Sequence, residues 1–254
     1  MRNLNSKIVL LIVLTSSLLL SYCSNSQTPD PIPNPNPTPT YNFAKGADVG
    51  WLSQMEATGY RFYDADGTEK NCLQLLKDRG MNTIRLRVFV NPSNDRINGH
   101  CSKDETVAMA VRAKNLGMRV MINFHYSDTW ADPGHQNKPA AWASHSFTTL
   151  LSDVYNHTFE VLTALKTAGV TPEWVQIGNE IPGGMLWPEG NSTNFGQLAQ
   201  LLNKGYDATK AIDPKIKVVV HIDQGNNNSR FRWFFDNATT NNVRSVSYTH
   251  LTLP

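Results

Sequence analysis

The stretch Trp174-Val-Gln-Ile-Gly-Asn-Glu180, followed by Ile181-Pro-Gly-Gly-Met-Leu-Trp187, decides the fold. Its first half is short, apolar and β-branched, which predicts a buried parallel strand, and it breaks at Pro182-Gly183-Gly184, where no element continues. Glu180 then stands at the C-terminal rim of a strand. In α/β barrels catalytic residues emerge from that rim, and a carboxyl group there beside the amide of Asn179 can donate or accept a proton. A strand-end Glu that only caps the next loop is the alternative, and the rest of the chain has to choose.

Outward from this stretch the same supersecondary unit recurs. A Leu-rich amphipathic helix around Cys72 to Lys77 stops at Gly80, ahead of a strand over Thr83-Ile-Arg-Leu-Arg-Val-Phe89. Ser102 and Glu105 form a capping box for a helix whose face is traced by Val107, Val111 and Leu116; Gly117 ends it and Met118-Arg-Val-Met-Ile-Asn-Phe-His125 is the next strand. A third helix runs from Phe147 through Leu151, Val154, Thr158, Val161 and Leu165 to Gly169, before the strand that leads to Glu180. A fourth runs from Phe195 through Leu198, Leu202 and Ile212 to the strand Lys217-Val-Val-Val-His-Ile222. With a first strand over Gly46-Ala-Asp-Val-Gly50, five parallel strands alternate with helices, which means a (β/α) barrel or a doubly wound sheet.

The strand ends favour the barrel. Asp48, Arg87, His125 with Asp128, Asn179 with Glu180, and His221 with Asp223 put polar groups at or just past the C-terminal end of every strand. An open sheet needs such groups mainly at its switch point, whereas a barrel collects them on one rim. The predicted class is therefore α/β, a (β/α)8 TIM barrel. Eight units at the observed spacing need well over about 300 residues, so the 254 present hold five to six of them. The last stretch, from Arg244 to Pro254, departs from the expected pattern after Val246-Ser-Tyr248, as a truncated or chimeric sequence would.

Composition excludes other classes of function. With 40% apolar and 17% charged residues the chain is an ordinary globular protein, and a net charge of +2 with scattered Lys and Arg carries no nucleic-acid footprint. No Gly-rich phosphate loop follows the first strand, which argues against nucleotide cofactors, and His125, Asp128, Asp132, His135 and His221 lack the close helical pairing of a catalytic metal site. No cofactor and no metal are expected. Trp130 and Trp187 follow two rim strands, with Trp142 further on, and exposed indoles near carboxylates suit the apolar faces of sugar rings; the alternative for each is a loop anchored into the core.

The N-terminus reads as an address. Arg2 and Lys7 precede the apolar run Ile8 to Leu20, which makes residues 1–22 a secretory signal too short for a membrane span. Leu20-Ser-Tyr-Cys23 resembles a bacterial lipobox, although Tyr22 is larger than the small residue usual there; Cys23 is then lipidated and the membrane is a partner through that anchor. Plain secretion is the alternative. Residues 23–40 alternate proline with polar residues and form an extended tether, and the barrel domain occupies 41–254. Cys72 and Cys101 remain as an even pair, suited to a disulfide or to buried thiols.

Five segments, taken together, resemble the endo-β-1,4-galactanases of glycoside hydrolase family 53: Gly46-Ala-Asp-Val, Asn82-Thr-Ile-Arg-Leu-Arg-Val-Phe-Val-Asn-Pro92, His125-Tyr-Ser-Asp-Thr-Trp-Ala-Asp-Pro133, Ile177-Gly-Asn-Glu-Ile181 with Leu186-Trp-Pro188, and His221-Ile-Asp223. The resemblance implies endo-hydrolysis of galactan or type I arabinogalactan by a retaining two-carboxylate mechanism with Glu180 as acid/base. It also implies substrate contacts from Asp48, Arg85, Arg87, His125, Trp130, Asp132, Asn179, Trp187, His221 and Asp223. Asn179 would meet the 2-hydroxyl of the reacting sugar, and Arg85, Arg87 and His125 would order the partner carboxylate. In the family that nucleophile is a Glu at the end of the seventh strand, which this chain does not reach. A non-catalytic or degenerate surface glycan-binding lipoprotein is the other reading, and a mannan or glucan the other substrate class.

Overall fold

The computed structural model describes residues 43–96 and 99–245 and the backbone of 247–250. The signal segment, Cys23 and the proline-rich tether lie outside the described residues. From Phe43 onward the chain is one compact unit. Its elements are β1 (Gly46–Asp48), α1 (Leu52–Ala57), α2 (Cys72–Asp78), β2 (Thr83–Val88), α3 (Lys103–Asn115), β3 (Arg119–Phe124), α4 (Phe147–Thr167), β4 (Trp174–Ile177), α5 (Phe195–Ile212), β5 (Lys217–Ile222), α6 (Asn228–Thr240) and β6 (Ser247–His250).

All neighbouring strands pair in parallel, and their order in the sheet is the order in the chain. A doubly wound sheet reverses direction at a switch point, and this one never does, which is the winding of a (β/α) barrel. The described part covers its first six strands. β6 continues the ladder in the register Val219↔Ser247 to Ile222↔His250.

Alternation within each strand sorts the side chains. Ile84, Leu86 and Val88 of β2, Val120, Ile122 and Phe124 of β3, Val175 and Ile177 of β4, and Val218, Val220 and Ile222 of β5 are all 3% exposed or less and make the core with the helices. Each such aliphatic side chain contributes roughly 1.5–3 kcal/mol by leaving water. The opposite positions carry Arg85, Arg87, Asn123 and Gln176. Arg85 of β2 reaches Gln176 Oε1 of β4 at 3.1 Å across the intervening β3, which only the concave side of a curved sheet allows. The strands are therefore not uniformly apolar, and the barrel interior is a hydrogen-bonded polar layer.

Helix ends follow the expected chemistry. Ser102 Oγ accepts from the Glu105 N–H while the Glu105 carboxylate accepts from the Ser102 N–H, closing the capping box of α3. Gly80, Gly117 and Gly169 turn the chain at φ between 69° and 82° after α2, α3 and α4. The face of α3 that packs inward is Thr106, Met109, Ala110 and Ala113; Val107, Val111 and Leu116 flank it half-buried. Small residues sit at the contact, so the helix lies close to the sheet and the larger Val and Leu side chains wrap its edges. No disulfide joins Cys72 and Cys101: both are free thiols, Cys72 in the first turn of α2 and Cys101 buried with its Sγ on the Gly50 carbonyl at 2.9 Å. Helix α6 has no counterpart in the sequence reading, because its Asn-rich start resembles a loop; there Asn227 caps the helix by accepting from the Arg230 N–H. Among the described residues no helix is long and apolar enough to cross a membrane.

Candidate active site

The regular part of β4 ends at Ile177, three residues before Glu180. Gly178 at φ 79° bends the chain, and a Cβ there would lie 2.7 Å from Ile181 Cγ2, so the turn needs glycine on both counts. Glu180 follows at φ 50°, a left-handed conformation that costs a residue with a Cβ of the order of 1–3 kcal/mol and persists only where the surroundings impose it. Its backbone N–H donates to His221 Nδ1 at 3.2 Å, from the buried end of β5. Its half-buried carboxyl group meets no hydrogen-bond donor among the described residues. Burial, then the charges of Asp223 and Asp132, raise its pKa above the usual carboxylate range, and Arg85 opposes them.

Beside Glu180 a buried amide network fixes its neighbour. Asn179 Oδ1 accepts from Arg85 Nη2 at 2.7 Å, and its Nδ2 donates to the Ala131 carbonyl at 2.8 Å. Arg85 is in turn paired with Asp48 of β1. Gln176 and Asn123 complete the layer: Gln176 Nε2 donates to Asn123 Oδ1 at 2.7 Å, and Asn123 Nδ2 lies 2.9 Å from His125 Nε2. His125 Nδ1 accepts from the Ala131 N–H at 2.9 Å. Burial, reinforced by the nearby Arg85, Arg87 and His221, holds His125 neutral, well below the usual imidazole range.

Arg87 occupies a different environment. Its guanidinium lies against both Trp51 and Trp130, 4.6 and 4.7 Å from ring centroids that are themselves 6.3 Å apart, and its Nε lies 3.3 Å from Cys101 Sγ. Nη2 is buried with no hydrogen-bond partner, so the two indole faces supply much of the compensation for its charge. Gly50 has no Cβ because one would meet Arg87 Cγ at 2.7 Å. Trp130 also packs on His125, with centroids 4.9 Å apart, and both Trp51 and Trp130 keep an exposed edge. A hollow of about 500 Å³ lies on the outer side of Trp51, lined with Met55 and Tyr60 among others. Trp187 is half-buried and its indole N–H donates to the Gly183 carbonyl at 2.9 Å. Trp142 is buried at 7% exposure against His157 and cannot serve as a sugar platform.

The remaining carboxylates have partners. Asp128 staples two loops by accepting from the N–H groups of Asn91 and Ala140 at 2.9 and 2.8 Å, and so is no free rim acid. Asp132 accepts from the Gly134 N–H and pairs with His135 Nδ1, both at 2.8 Å. Asp223 lies 3.9 Å from Arg230 with its Oδ1 buried and without a hydrogen bond. Glu189 is paired with Lys138 at 2.9 Å. Among the described residues no group of three His, Cys, Asp or Glu side chains is placed to hold a metal.

Four participants were not read from the sequence: Trp51, Asn123, Gln176 and Gln136. Period-two alternation inside β4 would have turned Gln176 inward, had the strand been read as polar on one face. Gln136, 2% exposed, sits in the loop after β3 with no local pattern around it.

Similarity to known proteins agrees with this geometry. The model of Glycosyl hydrolase family 53 matches residues 44–249. An arabinogalactan endo-β-1,4-galactanase of Humicola insolens is 40% identical over 197 residues, covering 76% of this chain and 57% of the relative. One of Thermothelomyces thermophilus is 36% identical over 205 residues, covering 80% and 60%. Among solved structures, a family 53 catalytic domain of Ignisphaera aggregans superposes with a TM-score of 0.78 at 36% identity, covering 85% of this chain and 62% of that one. Fungal β-1,4-galactanases superpose at 0.73 and 36% identity, covering 78% and 59%. The chain spans a little over half the length of the curated relatives it matches. With a family model over residues 44–249, these identities and this structural similarity, the chain belongs to glycosyl hydrolase family 53.

Proposed function

We propose that this chain carries the acid/base half of a retaining endo-β-1,4-galactanase acting on galactan or type I arabinogalactan, with Glu180 as the proton donor. The observation that supports it most directly is Glu180 itself: a carboxyl group at the end of β4, half-buried, free of hydrogen-bond donors and with its proton affinity raised. A general acid must hold its proton near working pH, and a paired surface carboxylate does not. In the first step Glu180 protonates the glycosidic oxygen as a second carboxylate bonds to the anomeric carbon and the leaving chain departs. In the second, ionised Glu180 takes a proton from water as that water displaces the enzyme carboxylate. Among the described residues Asp48, Asp132 and Glu189 are committed to Arg85, His135 and Lys138. The nucleophile in this reading is a Glu on a seventh strand, and relatives longer than this chain have room for it.

In this reading Asn179, its amide held by Arg85, would meet the 2-hydroxyl of the reacting sugar. The exposed edge of Trp130 and the half-buried Trp187 would border the bound glycan, and the protein would be exported and held at the cell surface through Cys23 or released. The test is Glu180→Gln in the protein expressed from its complete gene. Activity on polymeric galactan should fall by about 10²–10⁴-fold, while an aryl β-galactoside whose leaving group needs no proton keeps far more of its first-step rate. Equal losses on both substrates would remove the acid/base assignment, and galactan binding without any hydrolysis by the unmodified protein would favour a glycan-binding protein.

A further inference from the structure

The left-handed backbone at Glu180 has to be imposed from outside its own loop. We infer that Gln136 is the positioning residue that imposes it, clamping the loop after β3 onto the loop after β4 and so fixing both Glu180 and Trp187. The inference rests on the reading of Glu180 as the proton donor. Gln136 Nε2 shares its two N–H groups among three backbone carbonyls, of Asn179 at 2.8 Å, Asp132 at 3.0 Å and Glu180 at 3.3 Å. Its own carbonyl accepts from the Trp187 N–H at 2.8 Å, next to the bridge between Asn137 and Trp187. The peptide that carries the acid is thus gripped on both sides: the Glu180 N–H by His221 of β5, and the carbonyls on either side of it by one buried amide.

The burial makes this grip consequential. Gln136 is 2% exposed and its bond to the Asn179 carbonyl is buried, so removing the amide leaves that acceptor without its donor, while the part-buried Asp132 carbonyl keeps the His135 N–H. The Asn179–Glu180 peptide is then free to leave its left-handed turn, and a side chain placed about 1 Å off its productive position can cost about 10²-fold in rate. Only the step that needs Glu180's proton should suffer in full. Gln136 touches neither substrate nor the carboxyl group; it acts through the backbone that aims them.

The test compares Gln136→Met, which keeps length and loses both N–H groups, with wild type and with Glu180→Gln, all in the protein expressed from its complete gene. The readout is the ratio of kcat/KM on β-1,4-galactan to that on a dinitrophenyl β-galactoside, with thermal melting recorded alongside. Gln136→Met should lower that ratio by about 10–100-fold, while the Trp187 N–H keeps its bond to the backbone carbonyl of residue 136. Gln136→Glu supplies a second variant of nearly the same shape. Its carboxylate repels the three carbonyls, but once protonated it regains one O–H donor, so its ratio should recover towards wild type as pH falls. A wild-type ratio in Gln136→Met, or a Gln136→Glu ratio that does not move with pH, would overturn the clamp whatever the melting points. Glu180→Gln separates the two failures: if it leaves the ratio unchanged, the proton-donor reading itself is wrong, and if it shifts the ratio while Gln136→Met does not, only the clamp is.

Discussion

At the scale of single residues, Glu180 combines three properties that seldom occur together: a left-handed backbone, partial burial, and two acidic neighbours in place of a basic partner. The sign of its pH dependence follows. Burial and the charges of Asp223 and Asp132 favour the protonated form, so the acid stays competent to a higher pH than an exposed Glu would, and Arg85 works against this. Asp223→Asn removes the larger of the two charge contributions. The alkaline limb of the kcat/KM profile on galactan should therefore move to lower pH, and a limb that stays in place or moves up would mean that Asp223 does not act on Glu180. How much of this was legible in the sequence depended on locality. Glu180, Asn179 and His125 announce themselves at strand ends, whereas Gln136 and Trp51 matter through contacts with Asn179 and Arg87, tens of positions away.

At the scale of elements, the site depends on how closely α5 lies on β4. Gly205 of α5 faces Ile177, and a Cβ there would sit 2.7 Å from Ile177 Cγ2 and 2.9 Å from Tyr126 Oη. Neither neighbour yields easily: Ile177 is β-branched and fully buried, and the Tyr126 hydroxyl is tied to Thr158 at 2.7 Å. Gly205→Ala should gain up to about 1 kcal/mol of helix propensity and lose about 1–3 kcal/mol to overpacking, for a net loss. Urea unfolding of the purified protein measures it, and a stabilised variant would show that α5 can back away from the sheet. The elements themselves were largely legible, since period-3.6 helices, the capping box and the terminating glycines are local signals. The polar face of the strands was hidden because a parallel strand that reads as apolar can still hide Arg85 or Gln176 on its inner side. The burial of Trp142 was hidden too, because a loop sequence does not say which of its indoles turns inward.

At the scale of the whole molecule, acid sensitivity should reflect buried histidines. His157 of α4 packs on Phe124, Tyr126 and Trp142 with its Nε2 unpartnered, and burial lowers its pKa from 6.5 to about 4. The folded pKa is depressed, so between these values the unfolded chain binds the extra proton. Stability is then full above about pH 6.5 and falls as pH drops towards 4, by up to about 1.4 kcal/mol per pH unit for this one group. His157→Leu should flatten that slope in pH-dependent thermal melts; an unchanged slope would place the acid sensitivity elsewhere, His125 being the next candidate.

The central claim is that Glu180 belongs to a pair of carboxylates working by double displacement on a barrel rim, and the stereochemistry of the product tests it most directly. Proton NMR of the protein expressed from its complete gene, acting on β-1,4-galactan, resolves the anomeric proton of the newly formed reducing end before mutarotation. Retention, with the β-anomer appearing first, is the predicted result. The α-anomer appearing first would mean single displacement by water, and would contradict both the assigned role of Glu180 and the need for a covalent partner.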